Sequence, residues 1–203
     1  MATIPPKGFS TRPLVIYSPP RSRAWLRLYS NAYADPLGFG HAPSRFSDPR
    51  IGVPETKPYG VVYLGRTLKV CFLEAIVRDR GDARLGPLPI NMSQLEHTTC
   101  AEIVPRMPLT LVDLRGDGPV RMGVPTDAVR AADPTLGQAW AIAFHEHAAA
   151  PDGIVYPSRF NGETNIALFD RALSKVRARS VSPLLDHKIE LAQVIRDLKI
   201  ALL

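Results

Sequence analysis

Polar residues interrupt apolar runs at several places in this chain, where a core built only for packing would use carbon. Arg27 lies inside WLRLYS, Arg45 follows a glycine-containing turn in GHAPSRFSD, Tyr63 stands in VVYLG, and Ser158 and Arg159 close GIVYPSRF. Glu74 is the most telling. It sits in VCFLEAIV, flanked by Phe72, Leu73, Ala75 and Ile76, and a carboxylate in that company must face a solvent-lined cleft or find a cation. Taken one at a time, each of these residues is better read as a strand-edge cation or a member of a buried ion pair than as part of a site.

Other chemistries lack their signatures. The chain contains no GxxxxGK[ST] phosphate loop, no GxGxxG after a strand and no GxSxG elbow, which leaves ATP hydrolysis and Rossmann redox chemistry without sequence support. His145, Glu146 and His147 suggest a metal cluster, yet histidines two positions apart point about 200° apart around a helix, and HExxH is absent. A polar stretch of helix is expected there, with no metal. Cys71 and Cys100 have no CxxC spacing and read as small buried hydrophobes.

The elements that must position these residues are short. Strand-like runs occur at residues 25–30, 60–65, 98–104, 109–114, 153–158, 165–170 and 175–181. In 25–30 the alternation puts Arg27 and Tyr29 on one face, Leu26 and Leu28 on the other, so Tyr29 joins Arg27 as a pocket candidate. By the same alternation Arg159 points opposite to Ser158. Helices are predicted at 67–79, with Thr67 as N-cap and Gly81 as stop, and at 135–149. A last helix is predicted over 182–203, with Ser182 as N-cap and Pro183 at the first position. Its stripe of Leu184, Leu191, Val194, Ile195, Leu198 and Leu202 must be buried against the same chain or against a partner such as a second copy. Strands and helices mixed without strict alternation predict an α+β fold, a mixed sheet with flanking helices. Residues 1–21 read as an N-terminal arm.

At 203 residues, 1–203 is expected to form one domain. No apolar run approaches the ~18–20 residues that cross a membrane, and the proline-rich N-terminus is wrong for a secretory signal, so a cytoplasmic protein is expected. The formal charge of +6 favours phosphate-bearing ligands. The basic residues are scattered without a block of like charge, so direct nucleic-acid binding is not the expected role. A non-enzymatic basic nucleic-acid-binding module, drawing on the Arg-rich segments 21–27 and 171–179, is retained as an alternative.

The order and context of the singled-out residues narrow the choice. WLRLYS with Arg27, the turn into SRFSD with Arg45, VVYLG with Tyr63 just before a helix carrying Glu74, and GIVYPSRF followed by IALFD resemble the RES-domain family over about residues 22–172. The resemblance implies a fold similar to ADP-ribosyltransferases and a toxin that depletes NAD by hydrolysis or phosphorolysis of its nicotinamide–ribose bond. NAD is then a substrate, with inorganic phosphate as possible co-substrate and no resident cofactor. Catalysis is assigned to Glu74, Arg27 and Tyr63, and binding of NAD or phosphate to Arg27, Arg45, Tyr29, Tyr63, Ser158 and Arg159. Within that reading Arg27 and Arg45 hold the pyrophosphate or phosphate, and Glu74 meets the oxocarbenium-like charge. Mono-ADP-ribosyl transfer to a protein is the alternative the family allows. The expected partner is a helix-turn-helix (Xre-like) antitoxin, and a homo-oligomer is also open.

Overall fold

In the computed structural model, which describes residues 4–83 and 85–203, every one of the strand-like runs forms a strand. They are β2 (Trp25–Ser30), β3 (Val61–Gly65), β5 (Thr98–Pro105), β6 (Leu111–Asp113), β7 (Gly153–Pro157), β8 (Thr164–Phe169) and β9 (Val176–Pro183). Three short strands escape the sequence reading: β1 (Ile16–Tyr17), β4 (Leu88–Ile90) and β10 (Ile200–Leu202). Eight strands form one mixed sheet in the order β1-β6-β7-β8-β3-β2-β5-β9, curled into a half-barrel, and β10 pairs with β4 in a small parallel ribbon. Only β6 and β7 run parallel in the main sheet, as a helical crossover between them allows. The fold is α+β, as expected.

Period-two alternation divides the sheet into two faces. Trp25, Val62, Leu64, Ala101, Ile103, Leu111, Val155, Ile166 and Leu168 share one buried cluster. On the opposite face two separate clusters sit side by side. In one, Val61, Val112, Ile154, Ala167 and Phe169 pack with Trp140 and Phe144 of helix α5 (Thr135–His145), below α3 (Gly118–Met122) and α4 (Asp127–Arg130). In the other, Leu26, Leu28 and Cys100 pack with α1 (Leu68–Phe72), α2 (Met92–Glu96) and α6 (Lys188–Asp197). The same face of one sheet thus carries two helical layers, with a cleft where they part.

The helix predicted over 67–79 forms in three pieces. Thr67 caps α1 as expected, its hydroxyl accepting the Val70 N–H at 3.2 Å. The chain then widens into a π-turn over Leu73–Val77 and tightens into a 3-10 turn over Arg78–Gly81. Arg78, not Gly81, carries the unusual backbone, at φ 48° and ψ −132°. The helix predicted at 135–149 ends at His145.

The expected 182–203 helix needs correction. β9 continues through Ser182 and Pro183, a 3-10 turn covers Leu184–Asp186, and α6 starts only at Lys188 and ends at Asp197, before β10. Pairing of Ser182 with Cys100 and Pro183 with Thr99 outweighs the local capping signal. The stripe's Leu184, Leu191 and Val194 are buried within the chain against α1. The predicted arm is also corrected in part: residues 16–17 pair with β6, placing the arm on the sheet edge, while residues 1–3 lie outside the described residues. Both cysteines are buried as expected, and burial pushes their thiols up, Cys100 to about 11.

Gly65 joins the sheet to α1. A Cβ there would lie 2.5 Å from Cys71 Sγ and 2.7 Å from Val70 Cγ1, so any side chain must push α1 off the sheet. Gly65→Ala is expected to cost about 1–3 kcal/mol by overpacking, read as a lower urea midpoint at unchanged slope. An unchanged midpoint would show that α1 is not held this tightly.

Candidate active site

The cleft between the two helical layers holds a cavity of about 380 Å³. Its sheet floor is made by Tyr63, Gly65, Asn165 and Tyr156, which face one way because Gly65 pairs with Asn165 and Asn165 with Tyr156. One wall comes from the π-turn and the start of the 3-10 turn: Glu74, Ala75, Arg78 and Asp79. The other comes from Pro43, Ser44 and Arg45 beside Ala132 and Pro134. Arg27 reaches the cavity where β2 and β3 separate, the two strands being registered only at Leu26 and Gly65.

Five sequence-predicted residues therefore line one cavity: Arg27, Arg45, Tyr63, Glu74 and Arg159. Two do not. Tyr29 shares the face of Arg27 on β2, as expected, but packs against the cluster around Trp25, under the Arg27 guanidinium at 5.4 Å. Ser158 is buried in a turn, where its Oγ accepts the Phe160 N–H at 3.2 Å and its carbonyl accepts from Gly162.

The four arginines of the cavity are in different states. Arg27 donates to the carbonyls of Pro36 at 2.6 Å and Gly38 at 2.7 Å, clasping the loop after β2. Arg159 is ion-paired with Asp79 and lies over the Phe160 ring at 4.5 Å. Arg78 occupies the positive-φ position that ends the π-turn, a backbone state costing about 1–3 kcal/mol that is typically kept where a site needs it. Arg45 differs again: its Nη1 is buried with no hydrogen-bond partner among the described residues. Burial lowers its pKa, and Tyr156, Arg159 and Glu74 also act on its charge.

The segment carrying Arg45 is nevertheless fixed. Gln138 donates to Ser44 O at 3.0 Å and to Ser47 Oγ at 3.2 Å. The Tyr63 hydroxyl accepts the Phe46 N–H at 2.9 Å and shares a hydrogen bond with Ser44 Oγ at 2.9 Å. Tyr59 donates to Phe46 O at 3.2 Å. Gly137 lets the Arg45 carbonyl approach α5, for a Cβ there would stand 2.6 Å from it. Tyr63 is thus spent at its hydroxyl and offers its ring to the cavity.

Glu74 Oε1 accepts a hydrogen bond from Asn165 Nδ2 at 2.8 Å. No ion pair joins Glu74 to an arginine among the described residues, whereas Asp79, the cavity's other carboxylate, is tied to Arg159. Burial pushes Tyr63 up to about 12 and Tyr156 well above the usual phenol range, so both stay neutral near pH 7. The site therefore combines one fixed carboxylate without an ion pair, one half-buried cation whose Nη1 lacks a partner, and neutral aromatic surface. Such a set suits a ligand bearing a phosphate and a developing positive charge.

Asn165, Tyr156 and Arg78 escaped the sequence reading. Asn165 carried a usable signal, a polar residue at the head of the apolar run NIALF; Arg78 carried none. His145, Glu146 and His147 are used in packing: His145 stacks on Tyr59 at 4.2 Å, Glu146 pairs with Arg50, and His147 Nε2 meets Arg12 O at 3.0 Å.

Comparison with known proteins places this arrangement. The RES domain model matches residues 21–190. The chain belongs to the RES-domain family. A relative from Sinorhizobium fredii (strain NBRC 101917 / NGR234), named probable toxin y4kH, is 48% identical over 121 residues, spanning 60% of this chain and 95% of that protein. A chain of the crystal structure of the M. tuberculosis MbcT–MbcA toxin–antitoxin complex matches with a TM-score of 0.59 at 16% identity, covering 92% of this chain and 91% of that one, and so shares its fold. Among the described residues of this RES-domain chain, no helix is long and apolar enough to cross a membrane.

A buried cation without a full set of partners destabilises the protein that holds it. Arg45→Met is expected to stabilise the anion-free protein by about 1–3 kcal/mol, and inorganic pyrophosphate is expected to raise the melting temperature of the wild type but not of the variant. A variant that melts lower and still responds to pyrophosphate would contradict the assignment of Arg45 as the anion ligand.

Proposed function

We propose that this protein is the toxin of a toxin–antitoxin pair and that it cleaves the nicotinamide–ribose bond of NAD, passing the ADP-ribosyl group to phosphate or water. The observation that carries the reading is the pairing, in one cavity, of a carboxylate without an ion pair and a half-buried guanidinium whose Nη1 is covered and unpartnered. NAD offers what each lacks: phosphate charge for Arg45 and a cationic, sugar-linked ring for Glu74.

The bond to be broken joins the anomeric carbon to a pyridinium nitrogen. Its electron pair leaves with nicotinamide, which departs neutral and needs no proton, so the acid of the usual carboxylate pair is unnecessary. Glu74 faces the positive charge that grows on the ribose, and a preorganised charge of this kind contributes most in a site shielded from water. The new bond forms between the anomeric carbon and an oxygen of phosphate or water, which gives up a proton. ADP-ribose 1-phosphate or ADP-ribose results. The neutral Tyr63 and Tyr156 rings supply apolar surface for the leaving ring. Arg27 acts at one remove, by fixing the loop at Pro36–Gly38.

The relative named a probable toxin and the fold shared with a toxin–antitoxin complex support the toxin reading. A cognate antitoxin, of the helix-turn-helix kind the family resemblance implies, would silence the enzyme by covering the cleft.

Incubation with NAD, with and without inorganic phosphate, tests the chemistry. Nicotinamide release is expected, and Glu74→Gln should lower it by about 10²–10³-fold with the fold retained. Phosphate dependence then separates phosphorolysis from hydrolysis. Label retained on a protein would favour transfer, and intact NAD under all conditions would overturn the proposal.

A further inference from the structure

We propose that Asn165 is a positioning residue that holds Glu74 as a charged, one-sided carboxylate; the inference rests on the NAD-cleavage reading above. Asn165 is 2% exposed, in the middle of the sheet floor, with Gly65 opposite it on β3 and Tyr156 opposite it on β7. A buried side-chain amide there needs partners. One is Glu74 Oε1, reached by Nδ2 at 2.8 Å. The orientation of the amide follows from chemistry, since an ionised carboxylate only accepts and the NH₂ end must face it. The other end lies toward Gly65, where a Cβ would stand 3.3 Å from Asn165 Oδ1. The bare glycine thus leaves room for the amide as well as for α1.

The neutrality of the partner matters. Glu74 shares its surroundings with Arg45 from the loop before β3, Tyr63 from β3, Tyr156 from β7 and Cys71 from α1. Arg78 and the Asp79–Arg159 pair lie along the same cavity. Among these only the arginines could hold a carboxylate strongly, and an ion pair with Arg45 would quench the two charges that the reaction needs separately. The Asn165 amide fixes Oε1 without adding charge and leaves Oε2 for the ribose. The π-turn supplies the complementary half of this arrangement by bringing Glu74 over the strand that bears Asn165.

Two substitutions separate positioning from a purely structural role. Asn165→Ala is expected to lower kcat by about 10²-fold with little change in KM. Asn165→Asp keeps size and shape but places two carboxyl groups on one site, where they share a proton and titrate as a coupled pair. With one proton between them, the introduced carboxyl donates to Glu74 as the amide did; when that proton leaves, the donor is lost and a second negative charge appears. A lone carboxylate gives a limb only on the acid side of a pH–rate profile, so Asn165→Asp should add an alkaline limb that the wild type lacks. A merely structural asparagine would lower activity evenly across pH.

If the wild type cleaves NAD and Asn165→Asp shows no new limb, or Asn165→Ala keeps full kcat, the positioning role is overturned while the proposed function stands. If the wild type does not cleave NAD, the functional reading falls. The contact is then read by carboxyl ¹³C NMR of labelled glutamate and aspartate. The carboxyl introduced by Asn165→Asp should titrate in two steps coupled to its neighbour, and a single uncoupled step would overturn the inference.

Discussion

A half-buried guanidinium whose Nη1 is covered without a partner is the constraint around which the rest of this molecule is arranged. Arg45 Nη1 has no partner among the described residues, yet the backbone on either side of Arg45 is held by Gln138, Tyr63 and Tyr59 and by the close approach to Gly137. Left to itself, a buried cation would swing to solvent or to the nearest carboxylate. Each of these hydrogen bonds contributes about 0.5–1.5 kcal/mol to holding Ser44, Phe46 and Ser47, the residues that flank Arg45. Residues that lie remote from the chemistry, such as Gly137 and Gln138 on α5, thereby preserve an unsatisfied charge at the cavity wall.

The opposite wall uses backbone geometry for the same end. The π-turn over Leu73–Val77 widens the helix there, and the chain leaves it through the strained Arg78. Such turns recur at functional sites because they re-aim side chains without breaking the helix. Tight packing at Gly65 fixes the start of α1, so the position of Glu74 is set from both ends. The two walls come from separate helical layers on one sheet face, and the cleft exists because those layers do not merge into one core.

Much of this was legible in the sequence, and the reasons differ by element. The seven strand runs emerged because period-two alternation survives in short segments, and Thr67 emerged because capping chemistry is local. Polar residues inside apolar runs pointed to five cavity residues, since burying such groups is costly enough to require a reason. Tyr29 shares the face of Arg27 but packs into the cluster around Trp25, and Ser158 is held in the turn after β7, so strand alternation alone does not separate them from the cavity residues. Ser182–Pro183 looked like a helix start until pairing with Thr99 and Cys100 made it a strand end. The π-turn has no composition signal, so neither the placement of Glu74 over Asn165 nor the role of Arg78 could be read in advance.

The central claim is that Arg45 and Glu74 are kept apart, charged and ready for one ligand. A crystal structure with the carba analogue of NAD, whose glycosidic bond cannot be cleaved, puts this to the test. A phosphate oxygen is expected within about 3.2 Å of Arg45 Nη1, with the ribose hydroxyls on the free oxygen of Glu74 and the Asn165 contact retained. A dinucleotide bound elsewhere, or an Arg45–Glu74 ion pair closing the cavity, would refute the claim.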